Sequence, residues 1–196
     1  MTTQLIKTYL KKLKISWIER HIPNISVENA EFIKEIIKDK NPKRMLEIGT
    51  ANGYSGIHFS SVLSEWSTLT TVEYAWNAHV EAVENFKECK IKNIISIWGD
   101  AKMVIPTFAD NYFDLVYIDA MKREYIDYLL LSLPKMTEDA VIIIDDVIKF
   151  KDKMLNLYEF LDRNGIEYNI CSTDPDDGIM IINFSDIWKR QFLQDR

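Results

Sequence analysis

The sequence predicts an α/β fold: a doubly wound sheet of seven strands, mostly parallel with an antiparallel last strand, preceded by two N-terminal helices. Three observations predict it. From Arg44 onward, short β-rich runs alternate with helical segments, the pattern of right-handed βαβ units around a parallel sheet. An apolar run from Met45 ends at Ile48 and breaks into Gly49-Thr-Ala-Asn-Gly53, a glycine-punctuated strand-to-helix turn. The last two strands are joined by Ser172 to Asp177, rich in Asp and Pro and too short for a crossover helix, so they pair as an antiparallel hairpin.

A chain of 196 residues with 47% apolar content builds one domain with a sizeable core. Its net charge of −6 argues against broad attraction to nucleic acid or anionic membrane, while leaving room for a local basic face. Cys89 and Cys171 are too few for a disulfide framework and read as small core residues in a reducing compartment. No apolar run approaches the ~20 residues that span a bilayer, and the lysine-interleaved start has no cleavable signal layout. The expectation is a cytoplasmic protein that makes no membrane contact.

Taken in order, residues 3–20 place Leu5, Ile6, Tyr9, Leu10, Leu13, Trp17 and Ile18 at helical spacing, with Lys7, Lys11, Lys12 and Lys14 between them. Pro23 breaks that helix, and Ser26 with Glu28 starts a second one carrying Val27, Ala30, Ile33, Ile36 and Ile37. Their apolar stripes must be buried over the sheet or against a second subunit, which motivates the expectation of a homodimer. Strands follow at Met45–Ile48, Leu69–Tyr74, Ile94–Trp98, Phe113–Asp119, Val141–Asp145, Ile166–Ile170 and Gly178–Phe184. Helices fill 54–64, 76–90, 101–108, 123–133 and 151–163, and Ile187 to Arg196 form a short tail.

In an open α/β sheet a ligand lies beyond the carboxyl ends of the strands. Gly49 and Gly53 let the backbone approach such a ligand, and the N–H groups near Tyr54 and Ser55 form a positive helix terminus. The strand ends themselves are acidic. The first strand contains Glu47, and the next four end at Glu73, Asp100, Asp119 and the pair Asp145 and Asp146. Crowded carboxylates repel one another unless a cation or a hydroxyl-rich ligand satisfies them. Glu73 stands where a carboxylate accepts ribose hydroxyls, or else it initiates the following helix. Asp100 and the next amide, at Ala101, can hold an adenine edge. Asp119, Asp145 and Asp146 are hard oxygen donors without His or Cys, suited to Mg²⁺, Mn²⁺ or Ca²⁺ if the strand ends at Asp145; otherwise Asp146 caps the following loop. Lys122 can neutralise these acids or act as a base. His21, His58 and His79 show no metal-ligand spacing and carry no assigned chemistry.

With those residues in place, the chain resembles the cation-dependent class I S-adenosylmethionine O-methyltransferases, a group that includes catechol, caffeoyl-CoA and bacterial tRNA hydroxyuridine methyltransferases. The resemblance covers residues 43–184 and rests on Leu-Glu-Ile-Gly-Thr-Ala-Asn-Gly-Tyr-Ser at 46–55, Thr-Val-Glu at 71–73 and Gly-Asp-Ala at 99–101. It rests equally on Phe-Asp-Leu-Val-Tyr-Ile-Asp-Ala at 113–120 with Lys122 and Tyr125, and on Ile-Ile-Asp-Asp-Val at 143–147. It implies a single Rossmann-like domain over 1–196, with 1–40 as a helical extension and 43–184 as the core. The first motif, with Glu47, Gly49, Tyr54 and Ser55, would cradle the methionine end of S-adenosylmethionine; Glu73 would hold the ribose, and Asp100 and Ala101 the adenine. Asp119, counted with both the cofactor and the metal, would join Asp145 and Asp146 around Mg²⁺, with Lys122 and Asp119 as the catalytic pair. Family members usually carry Asn at the third metal position, whereas this chain carries Asp146.

The implied reaction is in-line methyl transfer to a hydroxyl of a small molecule or of a modified tRNA uridine. Lys149, Lys151 and Lys153, with Lys11, Lys12 and Lys14, could flank an RNA-sized opening. Two other classes compete: a non-catalytic nucleotide-binding module, and an NAD-dependent dehydrogenase, which the missing tight Gly-x-Gly-x-x-Gly fingerprint disfavours.

Overall fold

The computed structural model describes residues 3–20, 22, 24–175 and 177–185; for residues 3–5, 17 and 18 the description is of the backbone alone. The expected roles of the Leu5, Trp17 and Ile18 side chains, of His21 and Pro23, and of the tail from Ile187 lie outside the described residues. Seven strands form one sheet in the order β3-β2-β1-β4-β5-β7-β6. They are β1 (Arg44–Ile48), β2 (Thr68–Glu73), β3 (Ile94–Trp98), β4 (Phe113–Ile118), β5 (Met136–Ile144), β6 (Asn169–Asp174) and β7 (Asp177–Asn183). Strands β1 to β5 are parallel, and β7 runs antiparallel between β5 and β6.

Successive strand residues point to opposite faces, so each apolar run feeds two cores. Leu46, Ile48, Val116, Ile118, Ile142 and Ile144 pack with α5 (Ala101–Val104), α6 (Tyr125–Ser132) and α7 (Leu155–Arg163). Met45, Leu115, Tyr117, Val141 and Ile143 face α1 (Thr3–Arg20), α2 (Val27–Lys40), α3 (Tyr54–Ser60) and α4 (Trp76–Glu88). Leu10 and Leu13 of α1 and Ile33 and Ile37 of α2 are buried in this second core. Among the described side chains, these parts of the stripes that pointed to a dimer are thus buried within the chain's own fold. Truncating a fully buried residue such as Ile33 to Ala should cost about 2–5 kcal/mol.

Several element boundaries differ from expectation. The third helix stops at Ser60 rather than near 64, where the Ser61 hydroxyl donates to the His58 carbonyl at 2.6 Å and competes with the helical bond. Strand β5 begins at Met136, five residues early, because its polar stretch Thr137-Glu138-Asp139 still runs extended while the register against β4 shifts. Strand β6 starts at Asn169 rather than Ile166. Ile166 is instead buried under the end of α7, and β6 is an exposed edge that needs no apolar alternation. The hairpin turn is correspondingly shorter, with Asp174 paired to Asp177.

Candidate active site

The parallel ladder continues one residue past each strand and so carries the acids into a common crevice. Gly49 N–H donates to Val72 O at 3.0 Å, Asp119 N–H to Ile48 O at 2.9 Å and Asp145 N–H to Ile118 O at 3.0 Å. Gly49 has φ +99°, and a Cβ there would lie 2.0 Å from Asp119 O. Only glycine allows the β1 turn to pass this close to the end of β4. Gly53 has φ +83° and sits against the Phe86 ring, so packing of chain on chain already demands glycine at both positions.

The turn is tied to β2 by Glu73, whose Oε2 accepts from Thr50 N–H (3.2 Å) and Ala51 N–H (2.9 Å). Its Oε1 accepts from Ala75 N–H at 2.7 Å, at the start of α4. The helix-opening reading of this acid is what the geometry shows, and the same carboxylate ties the glycine turn to β2. Glu47 is fully buried, with Oε1 accepting from Ser55 Oγ at 2.5 Å while Oε2 has no hydrogen-bond partner among the described residues. Burial pushes its carboxyl up to about 7. Asn52 Nδ2 is also buried without a partner at this turn. The Tyr54 and Ser55 side chains are buried, and Asn52 Oδ1 takes the Tyr54 N–H at 3.3 Å, so the expected free helix terminus is partly spent within the turn. Asp100 caps α5 by accepting from Lys102 N–H at 2.9 Å, beside the buried Ala101. Between Glu73 and Asp100 the surface is aromatic: Tyr74 and Trp98 are exposed, Trp98 Nε1 donates to Tyr74 O at 3.0 Å, and Trp76 meets Trp98 edge-on at 4.9 Å.

The other half of the crevice is built around Lys122. Its ammonium lies 2.7 Å from Asp119 Oδ1, 2.6 Å from Asp146 Oδ2 and 2.7 Å from the Tyr125 hydroxyl. Burial works against its charge, but Asp119 and Asp146 outweigh burial and raise its pKa. In this arrangement Lys122 stands as an ammonium that neutralises Asp119 and Asp146. Strand β5 ends at Ile144, and Asp146 adopts a left-handed backbone, φ +61°, which an aspartate tolerates; this brings Asp146 to Lys122. Asp145 is buried. Its Oδ1 accepts from Asn29 Nδ2 (3.2 Å) and Asp146 N–H (2.9 Å), and its Oδ2 accepts from the Tyr117 hydroxyl (2.8 Å). Burial and then the neighbouring acids raise the pKa of both Asp145 and Asp146, although Lys122 opposes the rise at Asp146. Among the described residues no three His, Cys, Asp or Glu side chains stand in an arrangement that holds a metal, because the Lys122 ammonium lies between two of the expected ligands.

Sequence reasoning missed Asn29, Tyr117 and the aromatic surface. For Tyr117 a signal existed, since a tyrosine inside a fully buried strand needs a partner for its hydroxyl. For Asn29, 116 residues away from Asp145, there was none.

A doubly wound sheet in this order, with a glycine turn knitted to an acid at the end of β2 and a second acidic cluster at the ends of β4 and β5, defines a class I, Rossmann-like S-adenosylmethionine methyltransferase architecture. The chain belongs to the O-methyltransferase family, whose family model matches residues 3–156. It is 29% identical over 126 residues to a catechol O-methyltransferase of Mycobacterium tuberculosis, a match covering 64% of this chain and 57% of that relative. Less than two thirds of that relative is therefore spanned. Among solved structures it is similar to an O-methyltransferase from Klebsiella pneumoniae (TM-score 0.78, 21% identity, 93% of this chain and 91% of that one). It is also similar to an O-methyltransferase from Streptomyces achromogenes in complex with SAM (TM-score 0.77, 20% identity, 89% of each chain). Among the described residues no helix is long and apolar enough to cross a membrane.

Proposed function

We propose that this chain is an S-adenosylmethionine-dependent O-methyltransferase acting on a hydroxyl of a small molecule. The observation that carries the reading is the juxtaposition of the Glu73-tied turn and the Lys122 cluster at the ends of adjacent strands, held together where Gly49 meets Asp119. The cofactor fits the first half. Buried, unpartnered Glu47 Oε2 and Asn52 Nδ2 are polar atoms of the kind an amino-acid moiety satisfies, Glu73 is placed for a ribose, and Tyr74 and Trp98 offer a flat ring surface beside Asp100 and Ala101. Bound there, S-adenosylmethionine supplies an electrophilic sulfonium methyl group. The chain's own contribution is to hold an acceptor oxygen in line with it. Lys122, as an ammonium, would donate to that oxygen and favour loss of its proton, while Asp119 and Asp146 fix the ammonium in place.

A divalent cation is the finer part of the proposal. The donor chemistry fits, since Asp119, Asp145 and Asp146 bring three carboxyl groups, all hard oxygen donors, to a site with one ammonium. These three would hold the ion once Lys122 withdraws, and its chemistry there would be to acidify the acceptor hydroxyl. The test is transfer of a labelled methyl group from S-adenosylmethionine to a panel of vicinal diphenols and to total tRNA, with and without chelator. Calorimetric binding of S-adenosylmethionine without transfer to any diphenol or to tRNA would reduce the chain to a binding module. Transfer to tRNA alone would assign the modified uridine as acceptor.

A further inference from the structure

Beside Lys122 the crevice opens into a cavity of about 340 Å³ lined by Ala120, Met121, Lys122, Arg123 and Lys153. Three of these five side chains are cationic, in a chain whose net charge is −6. Their charges are not equivalent. Lys122 is matched by Asp119 and Asp146. Arg123 and Lys153 are exposed and, among the described residues, neither has a carboxylate within ion-pair distance. Lys153 instead lies over the Phe150 ring, 4.6 Å from its centroid, and Lys149 lies over the same ring at 5.7 Å. The loop carrying these lysines is pinned, because Asp177 Oδ1 accepts from Ile148 N–H (3.0 Å) and Lys149 N–H (3.1 Å). The cavity therefore has two ends. One presents the matched Lys122 to the reacting oxygen, and the other presents positive charge that no carboxylate among the described residues neutralises.

We infer that the acceptor is an anionic hydroxylated small molecule, whose carboxylate or phosphate is held by Arg123 and Lys153 while its hydroxyl reaches Lys122. This rests on the methyltransferase reading. Two unmatched cations at the cavity mouth attract an anion, repel a cation and leave a neutral acceptor unoriented. The reaction is otherwise unchanged: the C–S bond breaks, the O–C bond forms and the hydroxyl proton is lost.

The test is a charge series on one ring: 3,4-dihydroxybenzoate, catechol and dopamine. We expect kcat/KM to fall in that order, with steps of up to about fivefold, the scale of exposed ion pairs. The double variant Arg123→Glu, Lys153→Glu should reverse the order. A flat series, or a variant that lowers all three equally, overturns the inference. Inhibition by inorganic phosphate or by benzoate separates the two anion types, with the stronger competitor naming the class. Stronger competition by total tRNA than by either overturns the small-molecule form. If no diphenol is methylated, calorimetry with S-adenosylhomocysteine present still decides: tighter binding of dihydroxybenzoate than of catechol supports the anion site even as the reaction assignment fails, and equal binding rejects it.

Discussion

Asn29 donates its side-chain N–H to Asp145 Oδ1 at 3.2 Å, and its own Oδ1 accepts from Thr173 Oγ1 at 2.6 Å. An asparagine in the first turn of α2 thus joins the β6 edge to the acid at the end of β5. Ser26 holds it there, as Asn29 N–H donates to Ser26 Oγ at 3.1 Å. Replacing Asn29 with Leu strips a donor from a buried carboxyl whose neighbours already repel it. We expect a loss of about 1–3 kcal/mol in urea unfolding, with Thr173→Val losing less. Wild-type stability in Asn29→Leu would show that the bond carries nothing.

Glu73 accepts three backbone N–H groups, two from the glycine turn and one from the start of α4. Glu73→Gln keeps a single acceptor oxygen and turns an NH₂ group toward an N–H, so the turn and the proposed ribose contact fail together. Affinity for S-adenosylhomocysteine should fall at least about tenfold, the scale of one charge-assisted hydrogen bond, as read by calorimetry. If stability drops while affinity stays, Glu73 is a helix and turn fastener only.

What was legible in the sequence follows from what is local. The runs around Leu46, Val116 and Ile142 announce buried strands because both faces of a parallel sheet are covered, and the acids after them are fixed by strand length alone. The start of β6 was not legible, since an exposed edge strand has no apolar alternation to read. The state of Lys122 was not legible either, because its charge depends on Asp146 reaching back through a left-handed turn. The glycines at 49 and 53 are legible as a turn, but that Asp119 O and the Phe86 ring also demand glycine there is not, because those neighbours are distant in sequence.

Lys122 and a divalent ion would compete for one place. Removing the ammonium in Lys122→Met leaves Asp119 and Asp146 without a counter-charge, so Mn²⁺ affinity should rise by roughly tenfold or more, the low end of coupling between close charge pairs. Electron paramagnetic resonance of free Mn²⁺ measures this without reference to turnover, and turnover itself should fall. Unchanged Mn²⁺ affinity would place any metal elsewhere or nowhere. In the wild type, loss of transfer on chelation that Mg²⁺ restores would establish cation dependence.

Glu47 and His58 titrate against each other. Both His58 ring nitrogens are buried without a hydrogen-bond partner among the described residues, and Glu31 lies 3.8 Å from Nδ1. Burial, reinforced by Lys34 and opposed by Glu31, pushes the ring down to about 4. Above the unfolded value near 6.5 the ring is neutral in both states; below it the unfolded chain takes up a proton that the folded chain refuses, so stability falls as pH drops from 6.5 to 4. Glu47 has the opposite sign. Its folded value of about 7 exceeds the unfolded one, so its contribution is complete below about 4.5 and is lost as pH rises through 7. The two slopes partly cancel in the wild type. His58→Phe, which keeps a ring against Tyr54, should therefore gain stability relative to the wild type on acidification from pH 7 to 4.5, by on the order of 2–3 kcal/mol. Glu47→Gln should lose a similar amount over the same range. Urea unfolding at pH 7, 5.5 and 4.5 reads both differences, and curves parallel to the wild type would mean that neither group is buried in the state described.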